Sequence, residues 1–168
     1  MTALVNSKIL RIIVEGPDCS GKSTLVERLK NSLRWDSKYL RHKEGYQFTR
    51  YLKEYASQEH TVFDRGHFSE EVYSKMWRGG SPFHKKEKQI LDNLVNYKRI
   101  VIFCCPTLKE IKKRYLARGF EQQISLEELK RSRELFMRYF KSIPHITYKS
   151  ENYKELESLI KKIKKEVE

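Results

Sequence analysis

The sequence has few cysteines, no long hydrophobic run and comparatively few acidic residues. Its three cysteines, Cys19, Cys104 and Cys105, match neither a disulfide framework nor a zinc-binding pattern, which predicts a reducing, cytoplasmic environment. No run of roughly 18 apolar residues is present, so we expect neither a transmembrane helix nor a membrane partner. The segment from Met1 to Lys8 lacks the apolar centre of a secretory signal peptide.

The shortage of acidic residues leaves a strongly basic chain. There are 35 Lys and Arg residues against 22 Asp and Glu, and the formal net charge is +13. This charge predicts a polyanionic ligand and leaves a nucleic acid open as a partner, although the sequence contains no recognition motif for one. A solvated helix face explains the many lysines near the C-terminus more simply. With 168 residues, 39% of them hydrophobic, we expect a single domain over residues 1–168.

The stretch from Gly16 to Ser23 has the form G-x-x-x-x-G-K-[ST] of a phosphate-binding loop, or P-loop. An apolar run over residues 9–14 predicts a buried strand before it, and apolar residues at helical spacing predict a helix over residues 24–33. The two glycines permit a tight turn, so that backbone N–H groups and the helix N-terminus point at a polyphosphate. Lys22 is expected near the β- and γ-phosphates, and the Ser23 hydroxyl near Mg²⁺.

This P-loop predicts that the chain binds ATP together with Mg²⁺. The residues expected to contact the nucleotide are Gly16, Asp18, Cys19, Ser20, Gly21, Lys22, Ser23 and Thr24. Asp64 and Arg65 follow another predicted strand, where a carboxylate can hold Mg²⁺ or its water and a guanidinium can bind a phosphate through two hydrogen bonds. Ser23 and Asp64 are therefore the predicted metal ligands. A salt-bridged pair at the edge of the sheet is the structural alternative for Asp64 and Arg65.

Predicted strands alternate with predicted helices along the whole chain. After the first strand, the others are predicted at residues 38–42, 61–63, 100–105 and 145–148. Helix caps are predicted at Ser69, Thr107 and Ser125. The alternation predicts a three-layer α/β fold of the P-loop NTPase class, in which helices flank a five-stranded parallel sheet. Ligands bind at the carboxyl ends of such strands, so Lys43 and Glu44 are expected beside the P-loop and Arg65.

Two stretches of the sequence fit the pattern of a known family. One is Asp64-Arg65-Gly66-His67-Phe68-Ser69 followed by Val72-Tyr73, and the other runs from Ile13 through the P-loop to Thr24. They resemble D-R-x-x-x-S-x-x-A-Y and I-x-I-E-G-x-D-G-x-G-K-S-T of the thymidylate kinases, and residues 64–78 resemble the small phage-type members more closely. The resemblance implies a nucleotide-biosynthesis enzyme that transfers the γ-phosphoryl group of ATP to a deoxynucleoside monophosphate such as dTMP or dUMP.

The same resemblance implies which residues contact the acceptor. Arg65 would hold its monophosphate, and Asp18 would contact the 3′-hydroxyl of its sugar. Lys43 would be a second phosphate contact, and Glu44 would assist Mg²⁺ or the sugar. The sugar and base pocket would be lined by Phe68, Ser69 and Tyr73.

Phosphoryl transfer requires positive charge beside the transferred group. Cys19 stands where some thymidylate kinases carry a P-loop arginine, so the charge is expected from a lid, predicted around residues 114–133. Arg114 and Arg118 are four residues apart on one helix face just before Gly119, although a solvated basic face is the alternative. The residues predicted to take part in catalysis are Lys22, Asp64, Arg65, Arg114 and Arg118.

Other functions remain open. Ser74 replaces the glutamine that usually follows Ala-Tyr, and the segment between the second and third strands is short, so the resemblance does not extend to thymine specificity. A deoxynucleoside kinase would use Glu44 or Asp64 as the base for a neutral 5′-hydroxyl. A polynucleotide 5′-hydroxyl kinase would fit the basic charge, and a nucleotide-binding switch or assembly ATPase would need no small acceptor. Analogy with the family also suggests a homodimer.

Overall fold

Five parallel strands form one sheet in the middle of the molecule. The computed structural model describes residues 11–57, 59–96, 99–119 and 124–167. The strands are β1 (Arg11–Glu15), β2 (Asp36–Tyr39), β3 (Thr61–Asp64), β4 (Arg99–Cys104) and β5 (Ile146–Tyr148), and their order across the sheet is β2-β3-β1-β4-β5. The helices are α1 (Lys22–Leu33), α2 (Gln47–Ala56), α3 (His67–Trp77), α4 (Lys85–Val95), α5 (Leu108–Ala117), α6 (Leu126–Tyr139) and α7 (Tyr153–Val167).

Most of the core lies in two apolar layers, one on each face of the sheet, and a smaller cluster contains Cys19, Ile111, Ile124 and Leu129. Because successive side chains of β1 point to opposite faces, Ile12 and Val14 pack with α1 and α7, whereas Ile13 packs with α2, α3, α4 and α6. The predicted three-layer fold is therefore confirmed. Residues 9 and 10 of the predicted first strand lie outside the described residues. None of the described helices is long and apolar enough to cross a membrane.

The edge strand β2 occupies residues 36–39 rather than the predicted 38–42. Every residue of β2 is exposed, so the strand has no buried face that would fix its limits in the sequence. Leu40 still donates its backbone N–H to Asp64 O at 3.0 Å, and the chain then leaves the sheet. Lys43 and Glu44 consequently lie in an exposed loop instead of at the end of the strand.

Two of the three predicted helix caps are confirmed. Ser125 Oγ accepts the backbone N–H of Glu128 at 3.2 Å, and the Glu128 side chain accepts the backbone N–H of Ser125 at 2.8 Å. Thr107 caps α5 by accepting the backbone N–H of Glu110 at 3.3 Å. The predicted cap at Ser69 is wrong, because α3 already begins at His67 and Ser69 lies inside its first turn.

Glu15, the last residue of β1, caps α3 from outside the helix. The N-cap residue of α3 is Gly66, which has no side chain to accept a hydrogen bond. Glu15 Oε1 accepts the backbone N–H of Gly66 at 2.6 Å and of Ser69 at 3.2 Å, and Oε2 accepts the Ser69 hydroxyl. A carboxylate at this position also interacts favourably with the helix dipole. Glu15 thereby attaches the start of α3 to the strand that leads into the P-loop.

Ionisation of Glu15 should make the stability of the fold depend on pH. Burial raises the pKa of Glu15 from 4.5 to about 7, although the hydrogen bonds from Ser69 and Gly66 oppose this shift. The folded state then binds the proton more tightly than the unfolded chain, so stability decreases as the pH rises through this interval. The free energy of unfolding of the wild type, relative to Glu15→Gln, should fall by up to about 3 kcal/mol across it.

Urea unfolding of both proteins at several pH values between about 4.5 and 8 measures this difference. Groups that titrate equally in both proteins cancel, so Glu15 alone is responsible for the remaining slope. A difference between the two proteins that stays constant over the whole pH range would contradict the prediction.

Candidate functional site

The P-loop encloses the first residue of α1. Gly16 has a φ of +145°, and an added Cβ would lie 2.4 Å from Cys104 O, so glycine is required at this close approach. Lys22 is 6% exposed, and its Nζ donates to Pro17 O at 2.7 Å across the loop. Burial lowers the pKa of Lys22, and the nearby charge of Arg65 lowers it further. The lysine is thus held at the centre of the loop, as the motif predicts.

A cavity of about 570 Å³ opens over the P-loop at the carboxyl edge of the sheet, and we name it the main cavity. It is lined by the loop residues from Asp18 to Thr24 and by Tyr39, Asp64, Arg65 and Arg118. The Ser23 hydroxyl donates to Asp64 Oδ2 at 3.2 Å, while Asp64 Oδ1 is buried with no hydrogen-bond partner among the described residues. A hydroxyl and a carboxylate with an unused oxygen are ligands that Mg²⁺ prefers, so the predicted metal pair fits this ion.

Arg65 is fixed at the rim of the main cavity by its backbone and its side chain. Its φ of 72° is left-handed, and its backbone N–H donates to Val14 O at 3.0 Å. Nη2 donates to Asp18 Oδ1 at 2.6 Å, and the guanidinium carbon lies 5.6 Å and 5.1 Å from the ring centres of Tyr39 and Tyr73. Burial disfavours its charge, but Tyr73 and Asp18 keep the pKa of Arg65 above its ordinary value.

A second, smaller cavity of about 80 Å³ lies on the other side of Arg65, and we name it the side cavity. Its lining residues are Leu40, His42, Arg65, Ser69, Glu70, Tyr73, Trp77 and Arg78. Arg65 lines both cavities. The predicted pocket residues Ser69 and Tyr73 therefore line the same cavity as Arg65. Arg65 in turn donates a hydrogen bond to Asp18, the residue predicted to contact the sugar.

Three other predicted contacts are not brought to either cavity. Lys43 and Glu44 are exposed in the loop after β2 and line neither the main nor the side cavity. Phe68 is fully buried, with its ring centre 5.6 Å from that of Tyr139 and 5.2 Å from that of Phe140. It packs in the core layer between α3 and the end of α6.

The side cavity also contains three residues that sequence reasoning missed, namely His42, Glu70 and Arg78. A signal for two of them was present, since Glu70, Ser74 and Arg78 are spaced four residues apart and share one helix face. For His42 there is no such signal, because nothing in the local sequence indicates that its loop reaches Glu70 of α3.

The two predicted lid arginines have different surroundings. Arg114 is bonded within the protein, because Nε donates to Glu110 Oε1 at 3.0 Å, Nη1 donates to Ser150 Oγ at 3.0 Å and Nη2 donates to Ser150 O. Arg118 is exposed and lines the main cavity, and its side chain has no hydrogen bond to a described residue. Both also line a further cavity of about 380 Å³ beside Cys19 and Tyr148. Residues 120–123 of the predicted lid lie outside the described residues.

A comparison with models of protein families finds no match. Over 115 residues the chain is 28% identical to the SPbeta prophage-derived uncharacterized protein YorR of Bacillus subtilis strain 168, which spans 66% of this chain and 70% of that protein. The crystal structure of YorR in complex with phosphorylated GDP superposes with a TM-score of 0.76 and 21% identity, covering 91% of this chain and 92% of that one.

Two kinases of known structure are also similar. Deoxyadenosine kinase from M. mycoides, with dCMP and a flexible dCDP bound, has a TM-score of 0.65 and 17% identity over 92% of this chain and 98% of its own. Shikimate kinase from Acinetobacter baumannii, in complex with shikimate, has a TM-score of 0.60 and 14% identity over 94% of this chain and 92% of its own. At these identities the likeness concerns the fold, and the chain has the fold of the P-loop kinases.

Proposed function

We propose that this chain is an ATP-dependent kinase whose acceptor is a deoxynucleoside monophosphate. The observation that carries the proposal is the position of Arg65, a guanidinium fixed between the main cavity and the side cavity. Its Nη2 donates to Asp18, Nη1 donates to no described residue, and Nε is buried without a partner among them. Nη1 and the second N–H of Nη2 lie at one end of the guanidinium, so this cation between two adjoining cavities suits a ligand with a phosphate in its middle.

The chemistry assigned to this site is in-line transfer of the γ-phosphoryl group. Lys22 and the loop N–H groups bind the β- and γ-phosphates, while Arg65 orients the acceptor so that its phosphate oxygen forms the new P–O bond and ADP leaves. Arg118 adds positive charge beside the transferred group from the end of α5. Mg²⁺, when held by Ser23 and Asp64, would offset charge on the phosphate oxygens.

The comparisons support a nucleotide or nucleoside as the acceptor. The YorR structure contains phosphorylated GDP, and the deoxyadenosine kinase structure contains dCMP and dCDP. YorR is described as derived from the SPbeta prophage, which agrees with the phage-type motif and supports a viral origin for this chain as well.

A deoxynucleoside kinase is the second candidate, and one observation favours it. Lys43, the cation expected as a second phosphate contact, lies in an exposed loop that lines neither cavity. Asp64, whose Oδ1 has no partner among the described residues, would then act as the general base for a neutral 5′-hydroxyl. Glu44 is less suited to this role because it is exposed in the same loop as Lys43.

A phosphate-transfer panel with ATP and Mg²⁺ distinguishes these functions. The acceptors are the deoxynucleoside monophosphates, the deoxynucleosides, shikimate and an oligonucleotide with a free 5′-hydroxyl. We expect diphosphate products from monophosphates and no transfer to the other three classes. Transfer only to nucleosides would favour the second candidate, and hydrolysis of ATP without any transfer would contradict both.

Lys22→Ala should lower the transfer rate at least about 100-fold, because it removes the positive charge that stabilises the transferred group. Steady-state kinetics with saturating acceptor measures this loss. Lys30→Ala is the matched control, since Lys30 is on the same helix, does not line the main cavity and has a half-buried side chain 4.0 Å from Glu27. Activity of Lys22→Ala within a few-fold of the control would contradict the P-loop assignment.

Arg65→Ala should raise the acceptor KM about 10- to 100-fold and change the ATP KM by less than about threefold, because the acceptor's phosphate loses a charged hydrogen bond whereas Lys22 and the P-loop N–H groups remain for ATP. Arg65→Lys should restore part of the acceptor affinity, since it keeps the charge without the planar fork. Measurement of both KM values for each variant tests this. Equal losses for ATP and acceptor would show that Arg65 has no separate role in binding the acceptor.

A further inference from the structure

The side cavity has the composition of a pocket for a flat, polar-edged ring. Leu40, Tyr73 and Trp77 supply apolar walls, and Trp77 is stacked on Tyr73 with ring centres 5.0 Å apart and an interplanar angle of 11°. Glu70, Arg78 and His42 supply hydrogen-bonding groups. Apolar walls with a few fixed polar groups are typical of small-molecule sites, where the polar groups determine orientation and specificity.

Glu70 is the buried group of this pocket. Only 3% of the residue is exposed, and three donors meet at one of its carboxylate oxygens. Oε1 accepts Arg78 Nη2 at 2.6 Å, His42 Nδ1 at 2.7 Å and Ser74 Oγ at 3.3 Å. Oε2 has no hydrogen bond to a described residue, and it is not among the fully buried unpartnered atoms. The three donors hold the Glu70 carboxylate in place through Oε1, and Oε2 remains free to accept a hydrogen bond from a ligand.

The groups around Glu70 are fixed by one another. Arg78 Nε and Nη2 donate to Ser74 Oγ at 3.0 Å and 2.6 Å, in addition to the bond from Nη2 to Glu70. Ser74 is the residue at which the sequence departs from the thymidylate kinase pattern. The departure therefore lies inside the hydrogen-bond network of the side cavity, where it bears on the ligand that fits there.

We propose that Glu70, Arg78 and His42 form the subsite that recognises the hydrogen-bonding edge of the acceptor's base. This inference rests on the proposed function. Glu70 Oε2 accepts an N–H of the base, Arg78 donates to the neighbouring carbonyl or ring nitrogen, and His42 Nδ1–H holds the Glu70 carboxylate in place. The cavity is small, about 80 Å³, which favours a single ring, so we expect the acceptor to be a pyrimidine nucleotide. A carboxylate acceptor such as a hydroxy acid is disfavoured, because Glu70 would repel it.

Glu70→Gln tests the subsite, because the amide keeps the shape and can turn a donor toward the base. We expect the ratios of kcat/KM among dCMP, dTMP, dUMP, dAMP and dGMP to change about 10- to 100-fold, while the ATP KM stays within about threefold. Glu71→Gln is the matched control, since Glu71 is the next residue of α3, is 2% exposed and is paired with Lys75 instead of lining the cavity. The control should leave the ratios unchanged.

The outcomes separate this inference from the proposed function. If the wild type phosphorylates no nucleotide at all, the proposed function fails. If the wild type is active and Glu70→Gln lowers kcat/KM for every base by the same factor, the subsite proposal is overturned while the function stands. A wild-type preference for dAMP or dGMP over all three pyrimidine nucleotides would overturn the assignment of a single-ring base.

Discussion

The geometry of the candidate site depends on the contacts between two turns, the P-loop and the turn that contains Arg65. Each of these turns connects a strand to the helix that follows it. The P-loop follows β1, the turn around Arg65 follows β3, and these strands are neighbours in the sheet. Glu15, at the end of β1, accepts a hydrogen bond from the backbone N–H of Gly66 at the start of α3. Asp18, in the P-loop, accepts a hydrogen bond from the guanidinium of Arg65. Arg65 N also donates to Val14 O. A left-handed, non-glycine residue costs conformational energy, and these contacts are what hold it in place.

The same contacts bring two positive charges and one negative charge close together in the site. Lys22 and Arg65 are both largely buried, and their like charges lower the pKa of Lys22 in addition to the effect of burial. Asp18 lies 2.6 Å from Arg65 and 4.0 Å from Lys22, so it interacts favourably with both cations. Although burial opposes its ionisation, these two charges hold the pKa of Asp18 below its ordinary value. Bound phosphates would supply the additional negative charge that such a site favours.

The sequence predicted the parts of the structure that depend on local patterns. The buried strand before the P-loop, the cap at Ser125 and the parallel sheet follow from periodicity and capping chemistry, which act between near neighbours. It failed where distant residues decide the outcome. Glu15, and not Ser69, caps α3, because the capping carboxylate comes from a neighbouring strand. The position of His42 depends on where an exposed edge strand ends, and no hydrophobic pattern marks that point.

In the proposed function, helix α3 would connect the recognition of the acceptor's phosphate with the recognition of its base. Two rows of residues at four-residue spacing run along it, and together they line or support the side cavity: Ser69, Tyr73 and Trp77 in one row, and Glu70, Ser74 and Arg78 in the other. Arg65 precedes the helix, so the distance from its guanidinium to the groups proposed to bind the base is set by the helical rise of about 1.5 Å per residue. The donor nucleotide would depend on a different element, the P-loop followed by α1. Under this proposal, substitutions in α3 would change acceptor specificity while the P-loop keeps its geometry.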